Sequence, residues 1–302
     1  MKLGSYPDVY RIGHAKIDEI LSSEVTVQEK VDGSQFSFSL VGGHLYLRSK
    51  GVEIDEERVP ELFKLSVNTV IGLKDKLTPN YVYRCESIVK PKHNTLTYDR
   101  IPKCGLIRFD IQESDGTEKY LSQSELRKEA ERLGLEIVPC FFENKIVSVD
   151  KLTELLNTPS VLGGSIIEGV VIKNYQLFTR DKKVMMGKIV RDEFKEDNRA
   201  EWKKNQPYKK DFIIKVGEKY RSIARWRKSI IHLEEKDLLT HSPKDIGKLI
   251  DEIRLDIEKE CIEEIKDDLY KHFSDTIMKV AIKDFAIWYK EELEKSKENE
   301  LG

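Results

Sequence analysis

Hydrophobic and polar residues alternate in short runs across about the first two thirds of the chain, a pattern typical of strands. Residues 34–40, SQFSFSL, alternate in this way, VGG predicts a turn, and residues 44–50, HLYLRSK, alternate again, so we expect a β-hairpin. Further strands are predicted in NYVYRCESIV, GLIRFDIQE, SIIEGVVIKN and KVMMGKIVR. Between them, SQSELRKEAERLGLEI and SVDKLTELLN predict two helices, the first with a serine N-cap and an end at Gly134. The expected fold class is α+β with largely antiparallel sheets.

After Arg191 the pattern changes to apolar residues spaced three and four apart, which is typical of helices. One long helix is predicted from the apolar positions Ile246, Leu249, Ile250, Ile253, Ile257, Ile265, Leu269 and Phe273. A second helix is predicted through Val280, Ile282, Phe285, Trp288 and Tyr289. We therefore divide the chain into an α+β domain, residues 1–203, and an all-helical domain, residues 204–302, near the NQP that interrupts the pattern.

Composition limits the kinds of protein this chain can be. It has 302 residues, of which 39% are hydrophobic and 35% charged, and its net charge of −2 means that nucleic-acid binding would need local basic patches. No run approaches about 18 uncharged apolar residues and the N-terminus has no apolar signal region, so we expect no membrane segment. Four scattered cysteines without a CxxC pair favour neither a zinc site nor a disulfide framework. We expect a cytoplasmic protein with reduced thiols.

The stretch EKVDGS, residues 29–34, contains the first candidate for chemistry, Lys30. A lysine amine has a pKa of about 10.4 and attacks an electrophile only after losing its proton, which nearby cations or burial promote. Gly33 would let the backbone approach a phosphate closely, and Asp32 and Ser34 suit a turn between strands. Taken alone, these residues are more typical of a plain turn than of a nucleophile.

Five further motifs follow EKVDGS along the chain. They are RSKG, which begins at Arg48; YRCE, which ends at Glu86; LIRFDI, which contains Phe109 and Asp110; EGVVIK, from Glu168 to Lys173; and GKIVR, which contains Lys188. Together with EKVDGS they resemble, in order, motifs I, Ia, III, IIIa, IV and V of the covalent nucleotidyltransferase superfamily, which includes ATP-dependent DNA and RNA ligases and mRNA capping enzymes. The resemblance extends over residues 24–196 and implies an ATP-grasp-like adenylyltransferase domain built on antiparallel sheets.

The resemblance implies that Lys30 attacks the α-phosphate of ATP and carries AMP as a phosphoramidate. Gln28 and Glu29 would read the edge of adenine, and Phe109 would stack on the ring. Glu86 would bind the ribose, and Arg48 the ribose or a phosphate.

The resemblance also implies the groups that handle the phosphates. Lys173 and Lys188 would hold the α-phosphate, and Glu168 would engage a divalent metal ion, Mg²⁺ or Mn²⁺. Glu168 and Lys173 lie five residues apart, so in a regular strand they would point to opposite faces. Either a bend near Gly169 or contacts on both faces would let both residues serve one site. In ligases motif V usually reads K-x-K, but Val190 stands at the second lysine here; either Arg191 replaces that charge or Lys188 acts alone.

The predicted helical C-terminal third distinguishes among members of the superfamily. DNA ligases and capping enzymes follow motif V with a β-barrel, whereas an adenylation domain with a helical appendage resembles the RNA ligase 2-like family. That family has an asparagine five residues after the nucleophile that supports end joining, and Gln35 stands there in this chain. The implied substrate is RNA with 5′-phosphate and 3′-hydroxyl ends, and the oligomeric state stays open. The alternatives are a DNA ligase, a GTP-dependent capping-type guanylyltransferase, or an inactive relative that binds nucleic acid.

A block of charge supports a nucleic-acid partner. Residues 203–228 contain ten Lys or Arg against Asp211 and Glu218. Basic residues neutralise phosphates and aromatic residues can stack on splayed bases, so the block of charge favours RNA contact, whereas each interleaved aromatic residue taken singly is more typical of a helix core. Within the block we predict RNA contacts by Arg221, Arg225 and Lys228.

Overall fold

The computed structural model describes residues 3–113, 119–191 and 211–300. Its strands are β1 (Tyr10–Arg11), β2 (Val25–Lys30), β3 (Ser34–Val41), β4 (His44–Ser49), β5 (Glu53–Ile54), β6 (Tyr81–Ser87), β7 (Leu106–Glu113), β8 (Glu136–Ile137), β9 (Cys140–Lys145), β10 (Gly169–Phe178) and β11 (Val184–Val190). Its α-helices are α1 (Lys64–Leu73), α2 (Gln123–Leu133), α3 (Val149–Glu154), α4 (Asp211–Tyr220), α5 (Ile223–Glu235), α6 (Ile246–Ala281) and α7 (Phe285–Glu300).

The strands form two sheets. The first has the order β1-β11-β10-β2-β9 and the second the order β5-β4-β3-β6-β7-β8. All named pairs are antiparallel except β1 with β11 and β7 with β8. The chain passes from β2 of the first sheet to β3 of the second through the residues 31–33. The α+β prediction with largely antiparallel sheets is therefore confirmed.

Local sequence signals account for the predicted hairpin and helix. In the hairpin, Val41 pairs with His44, and Gly42 and Gly43 both have positive φ, which glycine adopts without steric cost. Helix α2 begins at a capping box formed by Ser122 and Glu125 and ends at Gly134 in the left-handed conformation. Helix α1 and strand β9, in contrast, were not predicted.

Each sheet buries one face against its own core and leaves the other face polar. The core of the second sheet contains Phe36, Phe38 and Tyr83, packed with residues of α1 and α2. The core of the first sheet contains Val27 and Ile172. Because side chains alternate along a strand, Lys30 and Glu86 belong to the opposite, polar faces.

Contacts group the described residues into two compact units. The first comprises residues 3–191 and 221–253, and the second comprises 211–220 and 254–300. The predicted boundary at residue 203 lies outside the described residues. Helix α5, which the sequence places in the C-terminal domain, groups by its contacts with the first unit, and its buried residues include Leu233 and Glu235.

The long C-terminal helices differ from the prediction in where they break. Helix α6 continues without interruption to Ala281, so Val280 belongs to it and not to the second helix. The break comes where Asp284 adopts a φ of 65°, a left-handed conformation that a right-handed helix cannot contain. In the second unit, α4 is joined to α6 by Lys219, whose Nζ lies 3.0 Å from Glu264 and 2.7 Å from Asp268. In the part of the chain described, every helix is too short or too polar to cross a bilayer.

Candidate active site

Lys30 ends β2 and lies beside Glu168, the residue that precedes β10. Its Nζ is 2.6 Å from Oε2 of Glu168, and 27% of the lysine side chain and 10% of the glutamate side chain remain exposed. Burial by itself would lower the pKa of Lys30, but the carboxylate of Glu168, with the charges of Glu86 and Asp32, outweighs it and raises that pKa above its ordinary value. Lys30 is therefore held as an ammonium ion in this arrangement.

A bend at Glu168, next to Gly169, explains how the Glu168 side chain reaches Lys30. Gly169 pairs with Lys30 on one side and with Val190 on the other, and Glu168 lies outside the regular strand. A Cβ on Gly169 would come 2.2 Å from the carbonyl oxygen of Ile189, so only glycine permits this close pairing. Lys188 lies on the neighbouring strand, and its charge lowers the pKa of Glu168, although burial raises that pKa overall. The structure thus brings Lys30, Glu168 and Lys188 together.

Lys173 lies on the same face of β10 as Gly169, which pairs with Lys30, but its amine has different partners. It is 1% exposed, and its Nζ lies 2.8 Å from Oδ2 of Asp110 and 3.0 Å from the carbonyl oxygen of Phe109. Asp110 also accepts hydrogen bonds from Tyr175, at 2.9 Å, and from Tyr6. The side chain of Lys173 therefore joins the two sheets through a buried ion pair, and a contact with the α-phosphate stays a prediction.

The polar face of the second sheet carries three predicted nucleotide ligands. Gln35 and Glu86 pair directly across β3 and β6, so their side chains share this face, and Arg48 lies on it in β4. Burial raises the pKa of Glu86 to about 8, despite the opposing charge of Lys30. Arg48 donates a hydrogen bond of 2.9 Å to the carbonyl oxygen of Leu3.

The N-terminal segment therefore lies over this face. Arg84, two residues before Glu86 in β6, donates to the carbonyl oxygen of Gly4 at 2.9 Å. The ring of Tyr6 packs edge-on against Phe109, with 5.1 Å between centroids. The ring of Phe109, which is predicted to stack on adenine, thus contacts the ring of Tyr6.

Gln28 and Glu29 separate to opposite faces of β2. Gln28 is 1% exposed and donates to Gln123 of α2 at 3.2 Å. The Glu29 carboxylate instead accepts from the Ser160 hydroxyl at 2.6 Å and the Val161 amide at 3.1 Å. The structure does not bring the carboxylate of Glu29 to Lys30, and the adenine-reading role of both residues stays a prediction.

The turn after Lys30 is fixed by a neighbouring loop. The Asp32 carboxylate accepts from the amides of Thr95 and Leu96, both at 2.7 Å, and from the Asn94 side chain at 3.2 Å. Gly33 packs tightly as well, because a Cβ there would come 2.9 Å from Ile88. Asp32 was predicted only as a turn residue, and its partners lie more than 60 positions away, where no local signal marks them.

The three residues predicted to contact RNA differ in how far their side chains are exposed to solvent. Arg221 is exposed and Lys228 is half-buried, whereas Arg225 is 2% exposed. Residues 203–210 of the basic block, which include four of its lysines, lie outside the described residues. Tyr220 is buried and Trp226 is 46% exposed, so the described aromatic residues are mixed in character.

No group of three or more His, Cys, Asp or Glu side chains that could hold a metal ion occurs in the described ranges. The carboxylate of Glu168 lies beside the amine of Lys30, and the charges of Asp32 and Glu86 also act on that amine. Such a site fits a cation that keeps most of its coordination for water and substrate phosphates.

Comparison with solved structures finds RNA ligase from Naegleria gruberi. A mutant of that enzyme with ATP and Mn is 20% identical, has a TM-score of 0.47, and covers 62% of this chain and 56% of its own. The same enzyme with PPi is 20% identical, has a TM-score of 0.46, and covers 68% of this chain and 60% of its own. The chain thus spans a little more than half the length of these proteins. A search of curated protein sequences gave no match.

A family model described as RNA ligase matches residues 23–190. This range begins just before β2 and ends with β11, so it includes Lys30, Glu86, Phe109, Glu168 and Lys188. It is also more than half of the 302 residues. The chain belongs to the RNA ligase family.

Proposed function

We propose that the protein is an ATP-dependent RNA ligase that joins a 3′-hydroxyl to a 5′-phosphate through AMP carried on Lys30. The observation that carries the proposal is the pairing of Lys30 with Glu168 at 2.6 Å, between the polar faces of two sheets. The family match supports it, because residues 23–190 include every member of this constellation.

Three transfers make up the proposed reaction. In the first, the neutral amine of Lys30 bonds to the α-phosphorus of ATP while the bond to the bridging oxygen breaks and pyrophosphate leaves. In the second, an RNA 5′-phosphate oxygen bonds to that phosphorus and the nitrogen–phosphorus bond breaks, regenerating Lys30. In the third, the RNA 3′-hydroxyl attacks the 5′-phosphorus, losing its proton, and AMP leaves. In such reactions the protein mainly aligns the groups and neutralises charge.

The first transfer requires Lys30 to lose its proton. As long as Glu168 is bound to Nζ, the pKa of Lys30 stays raised and the amine stays protonated. The ion pair is therefore a resting arrangement that must open before attack. Lys188, whose charge acts on Glu168, adds positive charge that favours a neutral Lys30 and a nearby phosphate.

Glu168 is the residue that would hold a divalent cation, Mg²⁺ or Mn²⁺. When bound, such an ion would neutralise charge on the ATP phosphates. Arg48, Glu86 and Phe109 are the proposed ribose and base contacts, and Arg221 and Lys228 are proposed contacts to RNA.

Incubation with α-labelled ATP or GTP in Mg²⁺ or Mn²⁺, followed by denaturing electrophoresis, tests the proposal. We expect a covalent label from ATP and none from GTP, and transfer of the label to 5′-phosphorylated RNA in preference to DNA. A label from GTP would indicate a capping-type enzyme, and preferential transfer to DNA would indicate a DNA ligase. Absence of any label would refute the proposed activity.

A further inference from the structure

The end of helix α5 lies against the turn that follows Lys30. Glu235, the last residue of α5, is 4% exposed although it is a glutamate. Buried carboxylates require partners, so its surroundings matter. In the next residue, Lys236, the Cε atom lies 3.3 Å from the position of a Cβ on Gly51, which follows Arg48 in the sequence RSKG. Helix α5 thus packs against the loop between β4 and β5.

The partners of Glu235 come from the turn and from this loop. Burial raises the pKa of Glu235 to about 7, against the opposing effects of Lys50 and of a side-chain hydrogen bond with Ser34. Lys236 and Glu234 act on it from its own helix, and Glu235 in turn raises the pKa of Glu86. Glu235 therefore lies between the Ser34 turn and the charged groups at the end of the polar face.

The direction of the hydrogen bonds around Ser34 can be assigned from its other partner. His93 Nδ1 accepts from the Val89 amide at 3.3 Å, so the neutral ring carries its hydrogen on Nε2. That nitrogen lies 3.1 Å from the Ser34 hydroxyl, which therefore accepts from His93. The hydroxyl hydrogen of Ser34 is then available to the carboxylate of Glu235. Ser34 is 1% exposed, so solvent cannot replace either partner.

We propose that Glu235 is a positioning residue of the adenylation site, supplied by helix α5 and acting through Ser34 on the turn that carries Lys30. Asp32 holds the same turn from the other side through Thr95 and Leu96. The turn is thus fixed by a loop on one side and by a helix on the other. In the chain, Glu235 of this helix is 201 positions after Ser34 (235 minus 34). Helix α5 belongs to the catalytic unit and is not only a surface for RNA. This proposal rests on the proposed function for its catalytic consequence, but its structural part is independent.

The test compares the full-length chain with Glu235→Ala, Glu235→Gln and the neighbouring control Glu234→Gln. Amide hydrogen exchange of residues 32–35 and 93–98 reports on the turn, and single-turnover labelling by ATP reports on adenylation. We expect Glu235→Ala to speed exchange in both segments and to slow labelling at saturating ATP by roughly tenfold or more, because small displacements of a nucleophile are costly. The KM for ATP should change less than the rate.

Glu235→Gln keeps an acceptor for Ser34, so we expect it to restore most of the protection and of the rate, and Glu234→Gln should match the parent protein. Wild-type exchange and labelling in Glu235→Ala would overturn the positioning role. If Glu235→Ala does not fold, the same conclusion follows from a Ser34→Ala variant that exchanges and labels like the parent. If the parent takes no label from ATP but the exchange changes occur, the proposed activity fails while the structural role of Glu235 stands.

Discussion

The Nζ atom of Lys30 lies 2.6 Å from Oε2 of Glu168, a residue 138 positions away in the chain. The pairing of β2 with β10 places the two side chains together, and the carboxylate raises the pKa of the amine. Glu168 therefore has two opposing effects on the proposed reaction. It holds Lys30 in position, and it keeps Lys30 protonated.

The variant Glu168→Gln separates these effects. Without the carboxylate charge we expect the pKa of Lys30 to fall, so that an amine-reactive reagent modifies Lys30 at lower pH, as followed by mass spectrometry. Labelling by ATP should nevertheless fall by about a hundredfold, because loss of one such site contact typically costs roughly 3 kcal/mol. Glu154→Gln, on an exposed part of α3, is the control. Unchanged labelling in Glu168→Gln would contradict a role at the phosphates.

The buried ion pair of Lys173 and Asp110 leads to a prediction about stability. Lys173→Met leaves Asp110 as an uncompensated charge, so we expect the free energy of unfolding in urea to fall by about 3–5 kcal/mol. A Lys173→Met/Asp110→Asn double variant removes the charge and keeps an acceptor for Tyr6 and Tyr175, so it should regain more than half of this loss. A stable Lys173→Met variant that fails to take label would instead indicate that Lys173 acts directly on the α-phosphate.

The sequence was most informative where spacing is local. Alternation predicted the hairpin of β3 and β4, and Ser122 and Gly134 marked the ends of α2, because caps and tight turns are determined by a few neighbouring residues. The order of the motifs predicted the family and placed Lys30 with Glu168. The five-residue spacing to Lys173 left two possibilities open, and one of them, a bend near Gly169, is present at Glu168.

Contacts between residues that are far apart in the sequence could not be predicted from local spacing. Glu29 precedes the nucleophile, yet strand alternation turns its carboxylate toward Ser160. Arg225 belongs to a basic block, but it is buried, since helix packing and not charge decides which side of α5 faces inward. Glu235 stands in the charged run EEKD, residues 234–237, so nothing in its neighbourhood distinguishes it from a solvated residue. Such partners are set by tertiary packing.

His93 should make the stability of the protein depend on pH. Burial lowers the pKa of His93 to about 4 from an unfolded value of 6.5, so the unfolded chain binds the proton first as pH falls. The stabilising effect of the neutral ring is complete above pH 6.5 and is lost as pH falls toward 4, amounting to about 3 kcal/mol. His232, whose pKa burial also lowers to about 4, acts in the same direction.

Urea unfolding of His93→Gln between pH 4 and 7 measures this effect. The variant should show a shallower loss of stability on the acid side than the parent protein, because one of the two groups no longer titrates. His44→Gln, at the exposed turn of the hairpin, controls for removal of an imidazole. If the free energy of unfolding falls with pH in parallel for His93→Gln and the parent, His93 is protonated equally in the folded and unfolded states.

The basic residues around α5 should differ in their effect on RNA. We expect charge reversal at Arg221 and Lys228 to weaken binding of a fluorescent RNA and to reduce the salt dependence by about one unit of slope for each lost phosphate contact. Arg225→Glu should mainly destabilise the protein, because it would place a carboxylate where a guanidinium is 2% exposed. Lys76→Glu, at an exposed lysine outside α5, is the control.

Labelling of Lys30 by ATP should be nearly unchanged in Arg221→Glu and Lys228→Glu, because neither side chain belongs to the Lys30–Glu168 site. If RNA binding and its salt slope stay at the parent values in both variants, α5 serves the catalytic unit alone and the RNA surface lies elsewhere.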